Sequence, residues 1–193
     1  KRGQTTIIPT GPDEIKADDM VYAVCTRENM KVLREQLGKQ KKEIHNIIFF
    51  GGSKIAQKTA QNLPDDLNIK ILEADRELCY HLSEKVNNAL IINADGSDME
   101  VLKDEGIEDA DAFVAVTDNS EANIFACMAA KRFGVKKTIA EVENIDYISM
   151  AEGLEIGTVL NKKTIAASYI YQMLLDASVL NVRNLTSARS EEH

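Results

Sequence analysis

Gly51-Gly52-Ser53-Lys54-Ile55-Ala56 follows directly on the apolar run Asn46-Ile47-Ile48-Phe49-Phe50 and opens a helical pattern. A buried strand that stops at small residues and turns at once into a helix aims free backbone N–H groups and the positive end of the helix dipole at one spot. That spot suits a phosphate. The dinucleotide fingerprint asks for G-x-G-x-x-G/A after a strand, with an acidic residue about twenty positions on. Gly51, Ser53 and Ala56 fill this frame, and Glu73 supplies the acid at the end of the next apolar run. Ser53 departs from the pattern, because its Cβ and hydroxyl stand where a second glycine lets the backbone approach a pyrophosphate most closely. The hydroxyl can bond a phosphate or cap the helix.

Glu73, at a strand end, can accept hydrogen bonds from both hydroxyls of an adenosine ribose. A 2′-phosphate would meet its charge, so NAD(H) or an adenine nucleotide such as ATP or ADP is expected over NADP(H). Lys54 in the loop and Arg76 after the acidic strand end can add positive charge beside phosphates or serve as ordinary exposed cations. Asn93-Ala94-Asp95-Gly96-Ser97 leaves the third strand at the same rim, where Asp95 or its neighbouring backbone can meet the adenine amino group. Thr117 and Asp118 leave the fourth strand opposite the first loop and can close the far side, or Asp118 can simply cap a helix. The expected contact set is Gly51, Ser53, Lys54, Ile55, Glu73, Ala74, Arg76, Ala94, Asp95, Gly96, Thr117 and Asp118.

Other chemistry is poorly supplied. Cys25, Cys79 and Cys127 are far apart, and with His45, His81 and His193 they show no metal-ligand spacing. A dehydrogenase needs a group that moves a proton beside the nicotinamide and a domain that holds the second substrate. Neither is visible, so binding without catalysis is expected. A fragment of an NAD-dependent oxidoreductase is the alternative, and a ligand-free assembly module a third reading.

The elements that must position these residues are legible from periodicity. Strands are expected at Asn46–Phe50, Asn68–Glu73, Ala89–Ile92, Ala112–Val116 and Thr138–Val142. Between them lie amphipathic helices: one with Ile55, Ala56, Thr59, Ala60 and Leu63 inward, one with Leu78, Cys79, Leu82 and Val86, one opened by a Ser97–Glu100 capping box, and one with Ile124, Cys127 and Met128. This alternation specifies an α/β, Rossmann-like, doubly wound parallel sheet with its first and fourth strands adjacent. Before it, β-like runs at Thr5–Ile8 and Val21–Val24 and a helix from a Thr26 cap to a Gly38 stop look like the end of a small β-rich module. After Asn144 the alternation stops, and residues 163–178 form a helix whose stripe of Ile165, Tyr169, Ile170, Met173 and Leu174 points to association with a second copy or another domain. A polar tail follows.

The net charge of −8 over 193 residues argues against nucleic acid as a partner. No apolar run is long enough to span a bilayer, and Lys1 stands where a natural start would have Met, so a soluble cytoplasmic piece of a longer chain is expected.

Taken together, the Gly51–Ala56 loop, Glu73, Asn93–Asp98 and the run Asp111-Ala112-Phe113-Val114-Ala115-Val116-Thr117-Asp118-Asn119-Ser120-Glu121-Ala122-Asn123-Ile124 resemble the KTN, or RCK N-terminal, domain of potassium-transport regulators. Lys16-Ala17-Asp18-Asp19-Met20-Val21 is similar to a turn and strand of the RCK C-terminal domain, and the order of the two is that found inside TrkA-type chains. The resemblance implies residues 1–38 as the end of a preceding RCK C-terminal domain, 44–145 as the Rossmann-like RCK N-terminal domain, 146–180 as a crossover and dimerisation region, and 181–193 as tail. It implies a cytoplasmic, homo-oligomeric gating subunit, peripheral to the membrane beneath a TrkH-type K⁺ transporter, that senses NAD(H) or ATP/ADP. K⁺ efflux regulators use the same domain. Glu141 departs from the family, many of whose nucleotide-binding members carry Arg there.

Overall fold

The computed structural model describes residues 2, 5–17, 19, 21–26, 28–37, 43–154 and 156–175. The chain divides at residue 42 into two compact units, the second running to Asn181. In the first, Arg2 and Thr5 form an isolated antiparallel bridge. The Arg2 guanidinium donates to both carboxylate oxygens of Asp19 at 2.8 and 2.7 Å. That pair, with the Lys16 N–H, holds the Asp19 carboxyl far below the ordinary carboxylate range. The β-like runs at Thr5–Ile8 and Val21–Val24 do not form strands, and among the described residues of this unit the Arg2–Thr5 bridge is the strand-type pairing present. Helix α1 spans Met30–Gln36 instead of starting after Thr26. The Asn29 N–H closes a turn onto the Thr26 carbonyl, and no side chain caps the helix. The Gly38 stop lies outside the described residues.

The second unit is a six-stranded, all-parallel sheet in the order β3-β2-β1-β4-β5-β6. Its strands are β1 (Asn46–Phe50), β2 (Asn68–Glu73), β3 (Leu90–Asn93), β4 (Ala112–Ala115), β5 (Lys137–Glu141) and β6 (Thr158–Leu160). The helices are α2 (Lys54–Asn62), α3 (Arg76–Lys85), α4 (Met99–Asp104), α5 (Ser120–Arg132), α6 (Ile145–Gly153) and α7 (Lys162–Leu175). The Rossmann-like fold is therefore as expected, with β1 between β2 and β4.

The strands form because both faces are buried. Ile47, Phe49, Ile69 and Ile71 meet Ala56 and Ala60 of α2 and Leu82 of α3 on one face. Ile48, Phe50, Leu72, Phe113 and Ala115 meet Leu102 of α4, Ile124 and Cys127 of α5 and Ala151 of α6 on the other. Phe49 and Phe113 are 1% and 0% exposed, and each such burial stabilises by about 1.5–3 kcal/mol. Burial also raises the Cys127 thiol to about 12, so it stays protonated.

Four sequence expectations need correction. Thr59 is exposed, because the inward line of α2 centres on Ala56 and Ala60 and leaves Thr59 on the flank. Leu78 is 37% exposed while Cys79, Leu82 and Val86 carry the α3 contact. The alternation does not stop after Asn144. That residue caps α6 by accepting from the Asp146 N–H, and α6 leads to a sixth strand. Finally, α7 begins at Lys162, and residues beyond 175 lie outside the description.

Candidate functional site

The carboxyl ends of β1, β2, β3 and β4 bring the candidate residues to one rim. Gly51 leaves β1 with φ +97°, a conformation that side-chain-bearing residues rarely adopt. A Cβ there would lie 2.8 Å from Thr117 Cγ2 and 3.0 Å from the Thr117 backbone nitrogen. The glycine is what lets β1 and β4 come together at the switch point. Gly52 is equally confined, since a Cβ would sit 2.4 Å from Leu82 Cδ1.

Ser53 is the N-cap of α2, its hydroxyl accepting from the Ala56 N–H at 3.4 Å. Of the two roles open to that hydroxyl, the cap is the one it performs. Among the described residues no group accepts from the N–H groups of Ser53, Lys54 or Ile55. Three donors therefore converge at the positive end of a nine-residue helix.

Glu73 faces this loop. Its carboxylate accepts from the Gly52 N–H at 2.7 Å and from the Asp75 N–H at 2.8 Å, one bond to each oxygen. Two oxygens offer about four acceptor sites, so two remain for ligand hydroxyls. Its carbonyl is braced by the Ala94 N–H and by Asn93 Nδ2, both at 3.0 Å, and Asn93 also donates to the Ala74 carbonyl at 2.8 Å.

The β3 exit is a turn with a mainly local role. Asp95 accepts from both the Ser97 N–H and hydroxyl, at 2.9 and 2.7 Å, and these bonds hold its carboxyl below its ordinary value. Ser97 is thus consumed by Asp95, and Asp98 caps α4 in its place. Gly96 packs on Phe50, where a Cβ would come within 2.5 Å of the ring. Arg76 is drawn along its own helix, donating to Tyr80 Oη at 3.2 Å with its guanidinium 5.7 Å above the Tyr80 ring. Lys54, Ala74 and Asp118 are exposed. Asn119, and not Asp118, caps α5 by accepting from the Ala122 N–H at 2.8 Å.

Asn123, Ser120 and Lys162 help organise the far wall without a local signal as site residues, whereas Glu141 stood out in the sequence only as a departure from the family. Asn123 is wholly buried, accepts from the Thr117 N–H and hydroxyl at 3.1 and 2.7 Å, and donates to the Thr117 and Glu141 carbonyls at 3.0 and 2.9 Å. Its place in the specific Asp111–Ile124 run was the available clue. The Ser120 hydroxyl accepts from the Glu143 N–H at 3.0 Å, tying α5 to the chain leaving β5. Glu141 is 2% exposed and lies 2.6 Å from Lys162 Nζ. The contact is an ion pair, and among the described residues Glu141 Oε1 has no hydrogen-bond partner. Lys162 also reaches Glu143 at 2.8 Å, and the two carboxylates raise its ammonium above the ordinary lysine value, Glu141 most.

The TrkA-N domain family model matches residues 47–162, from β1 to the start of α7. The chain belongs to the TrkA-N domain family. Among curated relatives, the Trk system potassium uptake protein TrkA of Halomonas elongata is 28% identical over 190 residues, which cover 98% of this chain and 42% of the relative. The chain thus spans about two fifths of that relative's length. Among solved structures, the TrkA-N domain of the inner membrane protein ybaL from Escherichia coli superposes with a TM-score of 0.60 at 14% identity, covering 70% of this chain and 99% of that one. The GsuK channel bound to NAD gives 0.54 at 13% identity, over 72% of this chain and 26% of that one. At these identities the structural likeness establishes the TrkA-N fold alone. Among the described residues of this TrkA-N domain, no helix is long and apolar enough to cross a membrane and no group of three or more acidic, His or Cys side chains could hold a metal ion.

Proposed function

We propose that this chain is a nucleotide-sensing regulatory piece of a potassium-uptake protein of the TrkA type. The observation that carries the reading is the pairing of three unpartnered N–H donors at the start of α2 with the Glu73 carboxylate beside them. A diphosphate sits on the first and an adenosine ribose on the second, which fits NAD(H), or ATP and ADP in its place. The fit rests on this chain's own cradle, where Gly51 permits the approach of β4 and Ser53 caps without blocking the N–H groups. NADP(H) is disfavoured. Two unit charges about 4 Å apart repel by about 4 kcal/mol at an effective dielectric of 20.

Sensing, not turnover, is the proposed use. His45 precedes β1 at the amino edge of the sheet, and His81 lies exposed on α3 beside Glu84 at 4.0 Å. Neither stands at the carboxyl rim where a hydride acceptor would lie. The reading extends to assembly. Ile165, Tyr169, Ile170 and Leu174 of α7 are 54%, 63%, 56% and 79% exposed, and a helix with an uncovered apolar surface is built to pack on something else. We assign residues 146–180 as a crossover region joining a second copy, residues 1–38 as the end of a preceding RCK C-terminal domain, 44–145 as the RCK N-terminal domain and 181–193 as tail. The assembled protein works on the cytoplasmic face beneath a TrkH-type K⁺ transporter, and the nucleotide acts by binding its open and closed arrangements unequally.

A thermal-shift and calorimetry panel of NAD⁺, NADH, ATP and ADP on the 193-residue chain tests the reading. Saturable binding of at least one supports it. A flat response to all four removes it and leaves an assembly module.

A further inference from the structure

Between the crevice wall at β4 and the start of α7 runs a set of side chains with little spare hydrogen-bonding capacity. The Asn123 amide has two donors and two acceptor lone pairs, and its four bonds to Thr117 and Glu141 use them all. One residue past Leu160 of β6, Asn161 is 5% exposed and does the same kind of work. It donates to the Val142 and Glu143 carbonyls at 2.6 and 3.1 Å and accepts from the Thr164 N–H at 2.9 Å, capping α7 while gripping the exit of β5. Lys162, at the first position of α7, closes the set by pairing with Glu141 and Glu143.

We infer that Asn123 is a positioning residue through which Thr117, the far wall of the crevice, is coupled to the Glu141–Lys162 pair that seats α7. The inference rests on the nucleotide reading above and adds the residues by which occupancy reaches the helix. A Thr117 that shifts to meet a ligand must break a bond to Asn123 or carry the Glu141 carbonyl with it. The same residue bears the buried carboxylate, and Lys162 is the one cation within ion-pair distance of it among the described residues. A buried carboxylate stripped of its cation is strongly disfavoured. The pair is therefore closed or fully released, which gives α7 two discrete seats instead of a continuum. A ligand that favours one geometry of Thr117 biases that choice.

The test is hydrogen exchange of the α7 amides with and without NAD⁺, run beside calorimetry on the same samples. In the parent chain NAD⁺ is expected to change exchange along α7 by about threefold or more. Lys162→Met, at a side chain that is 49% exposed, is expected to bind NAD⁺ within about threefold of the parent while losing that response. Asn123→Ser is expected to lose it too, and circular dichroism reports whether that variant stays folded. Binding of NAD⁺ with no change in α7 of the parent overturns the coupling and leaves the nucleotide site standing. A Lys162→Met chain that still responds also overturns it. Absence of any binding heat removes the site and the coupling together.

Discussion

Glu73 and Glu141 both end a strand at the carboxyl edge of one sheet, yet they are built for opposite purposes. Glu73 is half-buried and spends one hydrogen bond per oxygen on the backbone N–H groups of Gly52 and Asp75. The charge is stabilised by fixed dipoles and keeps capacity for a further partner. Glu141 is 2% exposed, and among the described residues Lys162 is the cation that pairs with its carboxylate. Its charge is neutralised from outside the sheet, by the first residue of a helix that packs on little of its own unit. One carboxylate is held by backbone donors with acceptor capacity to spare, the other by a lysine brought in from α7.

One large expected effect follows from removing that cation. Breaking a buried ion pair costs about 3–5 kcal/mol when both partners are buried. The half-exposed Lys162 side chain lowers the expectation for Lys162→Met to about 2 kcal/mol. Adding Glu141→Gln removes the orphaned charge and is expected to recover more than half of the loss in urea unfolding. A double variant no better than the single one would mean that Glu141 is not the group Lys162 serves.

On the other side of the comparison, Gly51→Ala forces a side chain into φ +97° and against Thr117. A loss of about 1–3 kcal/mol is expected from the strain alone, read as a fall in thermal midpoint. Glu73→Gln is expected to cost about 1 kcal/mol, because a charge-assisted bond to the Gly52 N–H becomes a neutral one and the amide presents donors to a donor. Asp118→Asn, at an exposed residue, is expected to stay within about 0.5 kcal/mol.

Lys162 and Glu143 give the stability contributed by their ion pair an acid limb and an alkaline limb. Lys162 pairs with Glu143 as well as Glu141, and Glu143 is held below its ordinary 4.5 chiefly by the Lys162 hydrogen bond. Because the folded value is depressed, this contribution is present above pH 4.5 and fades as pH falls through the folded value. Lys162 is raised above its ordinary 10.5, so its contribution is full below that pH and is lost as pH rises through the folded value. Lys162→Met is therefore expected to flatten both limbs of the stability–pH curve, which a denaturation series across pH would show.

The sheet was legible because its strands are short, apolar and separated by amphipathic helices. Phe49, Ile71 and Phe113 need no context to read as buried. The Gly51–Ala56 loop and Glu73 were legible as candidates because small residues at a strand-to-helix turn and an acid ending the next strand match the dinucleotide pattern. What escaped was decided by tertiary contacts. Strand β6 is three residues long and is stabilised mainly by pairing with β5, so its own pattern is too short to announce it. Ser97 has the residue type of a cap, yet Asp95 captures it first. Asn123 and Asn161 are polar residues in buried places, and only the carbonyls they satisfy explain them. Lys162 lies just before the helix expected from residue 163, and its partner Glu141 ends β5, too far back in the chain for local pattern to link them.

The loop after β1 and the acid ending β2 are read as a nucleotide site. Its most direct test is calorimetric titration of NAD⁺ and NADP⁺ into the parent chain and into Glu73→Gln. Saturable NAD⁺ binding by the parent is expected, with NADP⁺ weaker by about tenfold or more, equivalent to about 1.4 kcal/mol. Glu73→Gln should narrow that gap by weakening NAD⁺. NADP⁺ binding as tightly as NAD⁺ in the parent, or a Glu73→Gln chain that keeps the parent's preference, would contradict it.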